Sequence, residues 1–388
     1  MSEWQEVTLG DVIQFQRGFD LTEKDAEPGP YPVISSGGIS YSTSTPKVDG
    51  PGVVTGRKGV LGKVHFSEGP YWPHDTTLWV KDFKGSEPRF VYYWLQTLPI
   101  AGLDGGAANP TLNRNHAHLM RVRVPDRLTQ RRIADILRAL DDLIENNRRR
   151  IALLERMAQA IYREWFVHFR YPGHEHDELV DSSLGPIPTG WEGRSFLDLG
   201  TYLNGFAFKP AHWHDAGLPI VKIKELKQGV TSSTPRYHGD DIDARYLVER
   251  GDLLFSWSAY LDAYLWAWEP ALLNQHLFKV TPAAGVAQSW LFLALRERMG
   301  EFRSRSQGTT MKHIKRAALD EVCVVTPTSS VMRALDERLR PILDQVLVLS
   351  AALSPLETLR EMLLPKLVTG AIDVSHLDLD ALLDDPAT

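Results

Sequence analysis

The chain is poor in cysteine, because Cys323 is the only one in 388 residues. Without a second thiol an intrachain disulfide is excluded, and this usage is typical of a reducing cytoplasm. The first residues, Met1-Ser-Glu-Trp-Gln, lack the basic and apolar regions of a secretory signal. No apolar run approaches the roughly 20 residues that span a bilayer, so no membrane partner is expected. The sequence predicts a cytoplasmic protein.

A positive net charge is lacking as well. The 43 Lys and Arg residues are outnumbered by 49 Asp and Glu residues, which gives a net charge of −6. Taken alone, this balance argues against nucleic acid as a partner. However, residues 373–385 are strongly acidic, whereas basic residues elsewhere cluster in predicted loops, such as Arg57-Lys58 with Lys63, or Lys312 with Lys315-Arg316. Charge therefore leaves the question of DNA binding open.

Catalytic motifs are also absent. No glycine-rich loop joins a strand to a helix in the way that a dinucleotide or adenosyl cofactor requires. The segment Asn109-Pro110-Thr111-Leu112 begins like the Asn-Pro-Pro-aromatic motif of amino-methyltransferases but lacks the second proline and the aromatic residue. Three His-x-His pairs have no partner cysteines, so no metal site is predicted. We expect neither a catalytic site nor a cofactor bound by this chain.

What the sequence does contain is a large internal repeat. Four segments of the first half return in the second: Trp4–Asp11 as Trp191–Asp198, Arg17-Gly18-Phe19 as Asn204-Gly205-Phe206, Asp75–Val80 as Gln275–Val280, and Val122–Pro125 as Val324–Pro327. A solenoid would repeat every 20–50 residues or so, so this period indicates a duplicated domain. The residues between the shared landmarks differ widely. This pattern is expected of two recognition domains that are built alike but bind different targets.

A long amphipathic segment follows each repeat and predicts a coiled-coil helix. Steps of four and three residues give the first apolar seam: Ile133, Leu137, Leu140, Ile144, Asn147, Ile151, Leu154, Ala158, Ile161 and Trp165. The second seam is Leu335, Leu339, Ile342, Val346, Leu349, Leu353, Leu356, Arg360, Leu363 and Leu367. Asn147 is predicted to be a buried polar residue that fixes the register. Pro341 and Pro355 share one outer face, where they would kink the helix without interrupting the seam.

The predicted fold class is α+β, with two similar target-recognition domains, each a small twisted sheet plus helices. Two long helices join them as an antiparallel coiled coil with pseudo-two-fold symmetry. A parallel pair would require the polar link after His168 to run along the whole rod, so the antiparallel arrangement is preferred. The predicted domain boundaries are 1–125 and 191–327 for the recognition domains, 126–170 and 328–372 for the helices, 171–190 for a linker, and 373–388 for an acidic tail.

Loops of both domains mix basic, amide, hydroxyl and aromatic residues, the types that position a protein on phosphates and read base edges. For any single residue, an ordinary turn or strand end is an equally good interpretation. The candidate DNA-binding residues are Arg17, Phe19, Arg57, Lys58, Lys63, Asn113, Arg114, Asn204, Phe206, Lys209, Lys222, Lys224, Trp257, Tyr260, Thr309, Lys312 and Lys315.

Several longer motifs resemble one known family over essentially the full length of the chain. They are Gln130-Arg-Arg-Ile-Ala-Asp-Ile-Leu137, Leu140-Asp-Asp-Leu-Ile-Glu-Asn-Asn-Arg148, Ala160-Ile-Tyr-Arg-Glu-Trp-Phe-Val-His-Phe169, Leu184-Gly-Pro-Ile-Pro-Thr-Gly-Trp191, Asp252-Leu-Leu-Phe-Ser-Trp-Ser258, Leu273-Asn-Gln-His-Leu-Phe278 and Leu363-Leu-Pro-Lys-Leu-Val-Thr-Gly370. Together they resemble the specificity (S) subunit of type I restriction–modification systems. The opening of the second helix, Ser329-Ser-Val-Met, departs from the Thr129-Gln-Arg-Arg start of the first.

The resemblance implies a non-catalytic subunit in which each domain reads one half of a bipartite, asymmetric site on double-stranded DNA. It implies that two methyltransferase (M) subunits dock on the helices, bind S-adenosylmethionine and methylate adenine at N6. Translocating restriction (R) subunits, with ATP and Mg, would then cleave unmethylated DNA. An alternative function is a two-domain scaffold that binds protein or glycan without recognising DNA.

Overall fold

Two stretches of the chain, each rich in glycine and aromatic residues, fold into small α+β domains with matching strand orders. The computed structural model describes residues 4–103, 111–238, 242–306 and 313–374. The chain divides into unit 1 (Met1–Leu143 with Thr358–Thr388) and unit 2 (Ile144–Glu357). Each unit therefore contains one sheet-bearing domain and a segment of each of two long helices.

Unit 1 is built on one four-stranded and one three-stranded sheet. In chain order its elements are β1 (Gln5–Thr8), α1 (Leu9–Val12), β2 (Gln14–Arg17), β3 (Tyr31–Ser35), β4 (Gly38–Thr43), β5 (Gly52–Gly56), β6 (Val64–Ser67), β7 (Trp72–Pro73), β8 (Thr77–Asp82), α2 (Pro88–Leu95), α3 (Arg114–His118) and β9 (Arg121–Val124). The four-stranded sheet has the order β2-β8-β5-β6 and the three-stranded sheet β4-β3-β7. The first long helix, α4 (Arg127–Phe166), follows at once.

Unit 2 repeats this plan. A hairpin of β10 (Leu179–Ser182) and β11 (Gly185–Pro188) precedes the sheet-bearing domain within this unit. Its elements are then β12 (Glu192–Ser195), α5 (Phe196–Leu199), β13 (Gly200–Asn204), β14 (Leu218–Val221), α6 (Ile223–Gln228), β15 (Arg236–Tyr237), β16 (Leu247–Val248), β17 (Leu253–Ser256), β18 (Asp262–Leu265), β19 (Ala271–Leu273), β20 (Leu277–Pro282), α7 (Gln288–Glu297), α8 (Met299–Ser304), α9 (Ala318–Glu321) and β21 (Cys323–Thr326). The second long helix is α10 (Ser329–Val368).

The duplication predicted from the sequence is confirmed by the sheet topology. The order β13-β20-β17-β18 in unit 2 matches β2-β8-β5-β6 in unit 1. In each sheet-bearing domain the first strand also pairs with the last: β1 with β9, and β12 with β21. The chain therefore enters and leaves each domain on neighbouring antiparallel strands.

Gly18 and Gly205, the central residues of one repeated motif, occupy equivalent positions of close backbone approach. A Cβ atom on Gly18 would lie 2.1 Å from the carbonyl oxygen of His74, and one on Gly205 would lie 2.2 Å from that of Asn274. Because the obstructing atoms are backbone, no side-chain rotation can relieve the contact. This steric constraint explains why both copies of the motif carry glycine here.

We therefore expect Gly18→Ala to lower the free energy of unfolding by about 3 kcal/mol, the upper part of the usual cost of overpacking. Chemical denaturation of the purified chain would measure the change. Gly37→Ala is the matched control, because nothing lies within 4 Å of the place where its Cβ atom would stand. An exposed site of this kind tolerates substitution within about 0.5 kcal/mol. Equal stabilities of the two variants would contradict the steric explanation.

The seam of α4 lies along the packed side of the helix. Ile133, Leu137, Ile144, Asn147, Ala158 and Trp165 are buried, and Leu140, Ile151, Leu154 and Ile161 are half-buried. Asn147 is thus the buried polar residue of this seam, with only 6% of its surface exposed. Both ends of α4 extend its apolar face into the adjacent domain core, through Ala134 in unit 1 and Tyr162 in unit 2.

The two long helices run antiparallel within each unit, as predicted. In unit 1, Ile133 near the start of α4 shares a cluster with Leu367 near the end of α10. In unit 2, Arg338 near the start of α10 lies over the ring of Trp165 near the end of α4, 5.0 Å from its centroid. An ion pair joins Arg148 to Glu357 in the same unit. In each unit, therefore, higher numbers on one helix face lower numbers on the other.

Arg360, the polar exception in the second seam, has a partner in unit 1. Its Nε lies 2.7 Å from Oδ1 of Asp141, and the hydroxyl of Tyr93 donates to Oδ2 of the same carboxylate at 2.8 Å. Burial raises the pKa of Tyr93 and the hydrogen bond to Asp141 raises it further, so the hydroxyl stays protonated and donates. The polar seam position thus joins both helices to the domain of unit 1.

The seam of α10 differs in detail from the 4–3 pattern. Leu335, Leu339, Leu349 and Leu367 are buried, while Ile342, Val346, Leu353, Leu356 and Leu363 are half-buried. Met332, Leu343 and Leu347 are buried instead. Leu343 belongs to the core cluster of unit 2, so this part of α10 is covered by the sheet-bearing domain as well as by α4. A second packing surface therefore shifts the buried stripe away from a strict two-helix seam.

Both prolines of α10 lie on its exposed side, and the helix is continuous from Ser329 to Val368. Among the described residues this one helix is long and apolar enough to cross a membrane by length and composition alone. The expectation that no apolar segment approaches that length was wrong here, because the middle of α10 carries few charges. A core helix passes the same test; 22% of the apolar stretch is buried, and Leu343 within it belongs to the core cluster of unit 2.

Candidate nucleic-acid interface

The antiparallel order of β2, β8 and β5 brings candidate residues of unit 1 to one sheet edge. Arg17 at the end of β2 pairs with Leu78, and Gly56 at the end of β5 pairs with Thr77. Two strands therefore end where β8 between them begins. We call the residues at this place, Arg17, Arg57, Lys58, Asp75 and Thr76, the unit 1 edge.

Backbone hydrogen bonds hold the unit 1 edge. The carbonyl of Thr76 accepts from the amides of Arg57 and Lys58, at 2.8 and 3.0 Å. The carbonyl of Arg57 accepts from the amide of Leu112 at 2.9 Å, and Lys58 forms a β-bridge with Thr111. The segment after β5 is therefore fixed from both sides and presents its side chains from a rigid backbone.

The charges of the unit 1 edge are unevenly paired. Arg17 donates to Asp75 at 2.8 Å. Nη1 of Arg57 is buried and has no hydrogen-bond partner among the described residues. Burial lowers the pKa of Arg57, the charge of Arg17 lowers it further, and Asp75 acts in the opposite direction. The edge therefore holds one internally paired arginine and one that lacks an acceptor.

Phe19 supports this edge and does not project from it. Its amide donates to the carbonyl of Pro73 at 2.8 Å, and its ring packs beside Trp72 and Trp79. Nζ of Lys47 lies 5.0 Å from the centroid of Trp72 and 5.7 Å from that of Phe19. A cation that the sequence did not single out therefore lies against this aromatic group.

An equivalent edge exists in unit 2, and we call Asn204, Trp257, Ser258, Gln275 and His276 the unit 2 edge. Asn204 pairs with Phe278 and Ser256 with Leu277, the counterparts of Leu78 and Thr77. The carbonyl of Trp257 accepts from the amide of Ile314 at 3.0 Å, as that of Arg57 does from Leu112. The same backbone frame therefore carries different side chains in the two units.

The unit 2 edge carries no lysine, arginine or carboxylate, and four of its side chains are joined in two pairs. Nε1 of Trp257 donates to Oδ1 of Asn204 at 3.2 Å. The hydroxyl of Ser258 lies 3.2 Å from Nδ1 of His276. Where unit 1 has two arginines, unit 2 has a tryptophan and an asparagine that satisfy each other.

An aromatic and imidazole cluster extends from Phe206 of unit 2. The ring of Phe206 packs against Phe208, His212 and Tyr246. Nearby, Trp213 is exposed and Nζ of Lys222 lies 4.6 Å from the centroid of its ring. The segment that follows the equivalent Phe19 in unit 1 is acidic instead, with Asp20, Glu23, Asp25 and Glu27.

The remaining candidates are dispersed. Asn113 caps α3 by accepting from the amide of Asn115, and Lys224 donates to Ser233 at 3.0 Å. Tyr260 is exposed beneath Nζ of Lys227, which lies 3.1 Å from its ring centroid. Four further candidates are exposed, Lys63, Arg114, Lys209 and Lys315. Thr309 and Lys312 lie outside the described residues.

One potential metal-ligand group lies beside the unit 1 edge among the described residues. Ligand atoms of Asp20, His74 and Asp75 lie within 4.8 Å of one another. Nδ1 of His74 is 3.0 Å from the hydroxyl of Thr76, and Asp75 is paired with Arg17. Two of the three groups therefore already have partners inside the protein.

Sequence reasoning missed the residues that hold the edges, above all Asp75, Thr76 and Asn274. A signal was present, because Asp75 and Thr76 lie within the repeated segment that starts β8, and Asn274 directly precedes the corresponding segment that starts β20. Nothing in the linear sequence shows that β2 and β5 both end there. Only the strand order of the folded sheet shows that these strands end side by side.

The amino-terminal part of the chain matches a known family. Residues 1–156 match the family model described as the type I restriction modification DNA specificity domain. The type I restriction enzyme MjaIX specificity subunit of Methanocaldococcus jannaschii is 23% identical over 312 residues, which cover 76% of this chain and 71% of that protein. The EcoBI specificity subunit of Escherichia coli is 26% identical over 211 residues, covering 52% and 44% respectively.

A solved structure is also similar. The S subunit of a type I restriction-modification system from M. genitalium matches over 96% of this chain and 97% of that one, with a TM-score of 0.69. Sequence identity between the two is 14%, so this likeness shows the fold alone.

Proposed function

We propose that this chain, like the type I restriction–modification specificity subunits to which it is similar, recognises DNA, and that each unit reads one half of a bipartite, asymmetric site. Specificity subunits recognise DNA and do not themselves catalyse. The observation that carries the proposal is the pair of equivalent edges, which share one backbone frame but present different side chains. Two edges with different side chains would recognise two different half-sites.

In this proposal exposed cations make the first contact with DNA. Side chains at the rigid edge positions then read the bases. Lys58 and Lys63 in unit 1, and Lys209 and Lys224 in unit 2, are exposed lysines suited to phosphate contacts. Arg57 and Trp257 stand on backbones held by hydrogen bonds to neighbouring segments. The net charge of −6 is compatible with this function if partner subunits supply the remaining contacts with the duplex.

We further propose that the antiparallel helices dock two M subunits and set the spacing of the half-sites. Seven large apolar side chains are exposed on them: Leu128, Leu143, Leu153, Met157, Val348, Leu359 and Met362. Exposed apolar residues of this size on otherwise polar helix faces are typical of protein interfaces. In this proposal S-adenosylmethionine belongs to the M subunits, ATP and Mg belong to R subunits, and the assembled complex works in the cytoplasm.

The experiment that tests the proposal is a methylation map. The chain would be expressed with its neighbouring methyltransferase in a host free of DNA methylation, and N6-methyladenine would be located across the genome. We expect one two-part asymmetric motif, methylated on both strands across a fixed gap. A soluble, assembled complex that leaves the genome unmethylated would contradict the proposal and favour the two-domain scaffold.

A further inference from the structure

We propose that Arg57 reads a guanine in the half-site of unit 1, by donating to the O6 and N7 acceptors that guanine presents in the major groove. This inference rests on the proposed function and deepens it, because it assigns one residue to one base. It is carried by the position of Arg57, the lack of a partner for its Nη1 among the described residues, and the contrast with Trp257.

The position of Arg57 suits base reading because hydrogen bonds hold its backbone in place. Its amide and carbonyl are both hydrogen-bonded, to Thr76 and Leu112, at 2.8 and 2.9 Å. Lys58, the next residue, is bridged to Thr111. Discrimination between bases depends on donors held in a defined place, whereas a phosphate can be reached by a flexible cation.

The guanidinium of Arg57 lacks the acceptor that its surroundings would be expected to supply. Asp75 is the nearby carboxylate, but it accepts from Arg17 at 2.8 Å. Nη1 of Arg57 is left without a partner among the described residues, although the side chain is half-buried. A donor removed from water without a partner destabilises the protein, because its hydrogen bond to water is lost and not replaced. Because Nη1 is itself buried, the side chain must turn to present it to the duplex, and an acceptor met there would stabilise Arg57 more than it would a fully hydrated surface arginine.

Unit 2 provides the internal comparison. At the position of Arg57 it has Trp257, whose only side-chain donor is satisfied by Asn204 at 3.2 Å. Asn204 is itself the counterpart of Arg17. The side-chain donor at this position therefore has a partner in unit 2, whereas Nη1 of Arg57 in unit 1 has none among the residues that the structure describes. The missing component in unit 1 is a hydrogen-bond acceptor, and guanine offers two on one edge in the spacing that an arginine fork matches.

A phosphate is the competing acceptor, and the surroundings favour the base. Exposed Lys58 and Lys63 are available for the backbone of the duplex. Arg57 lies close enough to Arg17 for the two charges to interact, and its exposure is limited. A half-buried, oriented fork discriminates among acceptors, whereas an exposed lysine serves as a point charge.

The test measures binding of the assembled complex to duplexes carrying its mapped target, with each base placed in turn at every position of the unit 1 half-site. For the wild type, replacing one guanine should weaken binding by roughly 10- to 100-fold, the range for a bidentate pair. Arg57→Ala should bind the wild-type target more weakly by a similar factor and bind all four bases at that position equally. The half-site of unit 2 should be read as before.

Base analogues distinguish a contact of Arg57 with the base from a contact with a phosphate. 7-Deazaguanine lacks N7 and should weaken binding of the wild type but not of Arg57→Ala, while inosine keeps O6 and N7 and should be accepted by both. Arg57→Lys retains the charge and should lose most of the discrimination between bases. It replaces Arg57→Ala in the test if that variant is unstable. Lys63→Ala is the matched control, because loss of a phosphate contact should weaken all sequences alike and reduce the salt dependence.

Three results would overturn the inference. Arg57→Ala could weaken every duplex equally and reduce the salt dependence, which would make Arg57 a phosphate contact. It could leave discrimination intact, which would place the reading elsewhere while the proposed function stands. If the wild-type complex showed no sequence preference, the proposed function itself would fail, and the assignment of Arg57 with it.

Discussion

Exchanging residues 1–125 for the matching segment of another specificity subunit is expected to change one half of the methylated target and leave the other half unchanged. The reason is the way the chain enters and leaves the domain. Gln5 of β1 pairs with Val124 of β9, so both ends of the exchanged segment lie on neighbouring strands. A different domain can then be inserted at the same two points without moving α4.

The exchange must respect one packing surface. The core of unit 1 includes Ile133 and Leu137 of α4, and Leu367 of α10, which would remain from the host chain. The donor segment should therefore carry apolar residues at the positions of Val122 and Phe90, which belong to the same cluster. A donor segment that lacks them should yield an unstable chain instead of a new specificity. Thermal unfolding of the hybrid would distinguish instability from a change in specificity.

Methylation mapping of the hybrid would measure the result. The reciprocal exchange of residues 191–327 is the control, since Glu192 of β12 pairs with Thr326 of β21 in the same way. It should change the other half of the site. If either exchange altered both halves in an assembled complex, reading would not be confined to one domain and the modular function would be wrong.

The sequence predicted the duplication because its landmarks are residues with few alternatives. Gly18 and Gly205 are fixed by the carbonyl oxygens of His74 and Asn274, which leave no room for a Cβ atom. The repeated segments that begin at residues 75 and 275 start the strands β8 and β20, around which each sheet is built. Positions under such steric and pairing constraints keep their spacing while surrounding loops change.

The seam of α10 and the partners at each edge were harder to predict, for different reasons. A heptad pattern assumes one packing partner, but Leu343 of α10 also contributes to the domain core of unit 2. The pairing of Arg17 with Asp75 depends on which strands are neighbours, and their separation of 58 residues gives no clue to it. A heptad pattern predicts the face of a helix that packs on one partner helix. It does not predict a second packing surface such as the domain core.

Inserting one heptad into both long helices is expected to abolish recognition of the wild-type target and to favour a site with a longer gap. The insertions belong where the units divide, after Leu143 in α4 and after Glu357 in α10. At these places the ion pairs Asp141–Arg360 and Arg148–Glu357 each stay within their own unit. Seven residues add about 10 Å of helix and rotate the apolar face by only roughly 20°.

The added length corresponds to about three base pairs of duplex at roughly 3.4 Å each. In the original target the two half-sites would then lie about three base pairs too close together for both domains to bind at once. Methylation mapping would identify the recovered target. Inserting the heptad into α4 alone is the control, because it would misalign the antiparallel seam and should lower the melting temperature without creating a new specificity. An active complex with paired insertions and an unchanged gap would show that the helices do not set the spacing.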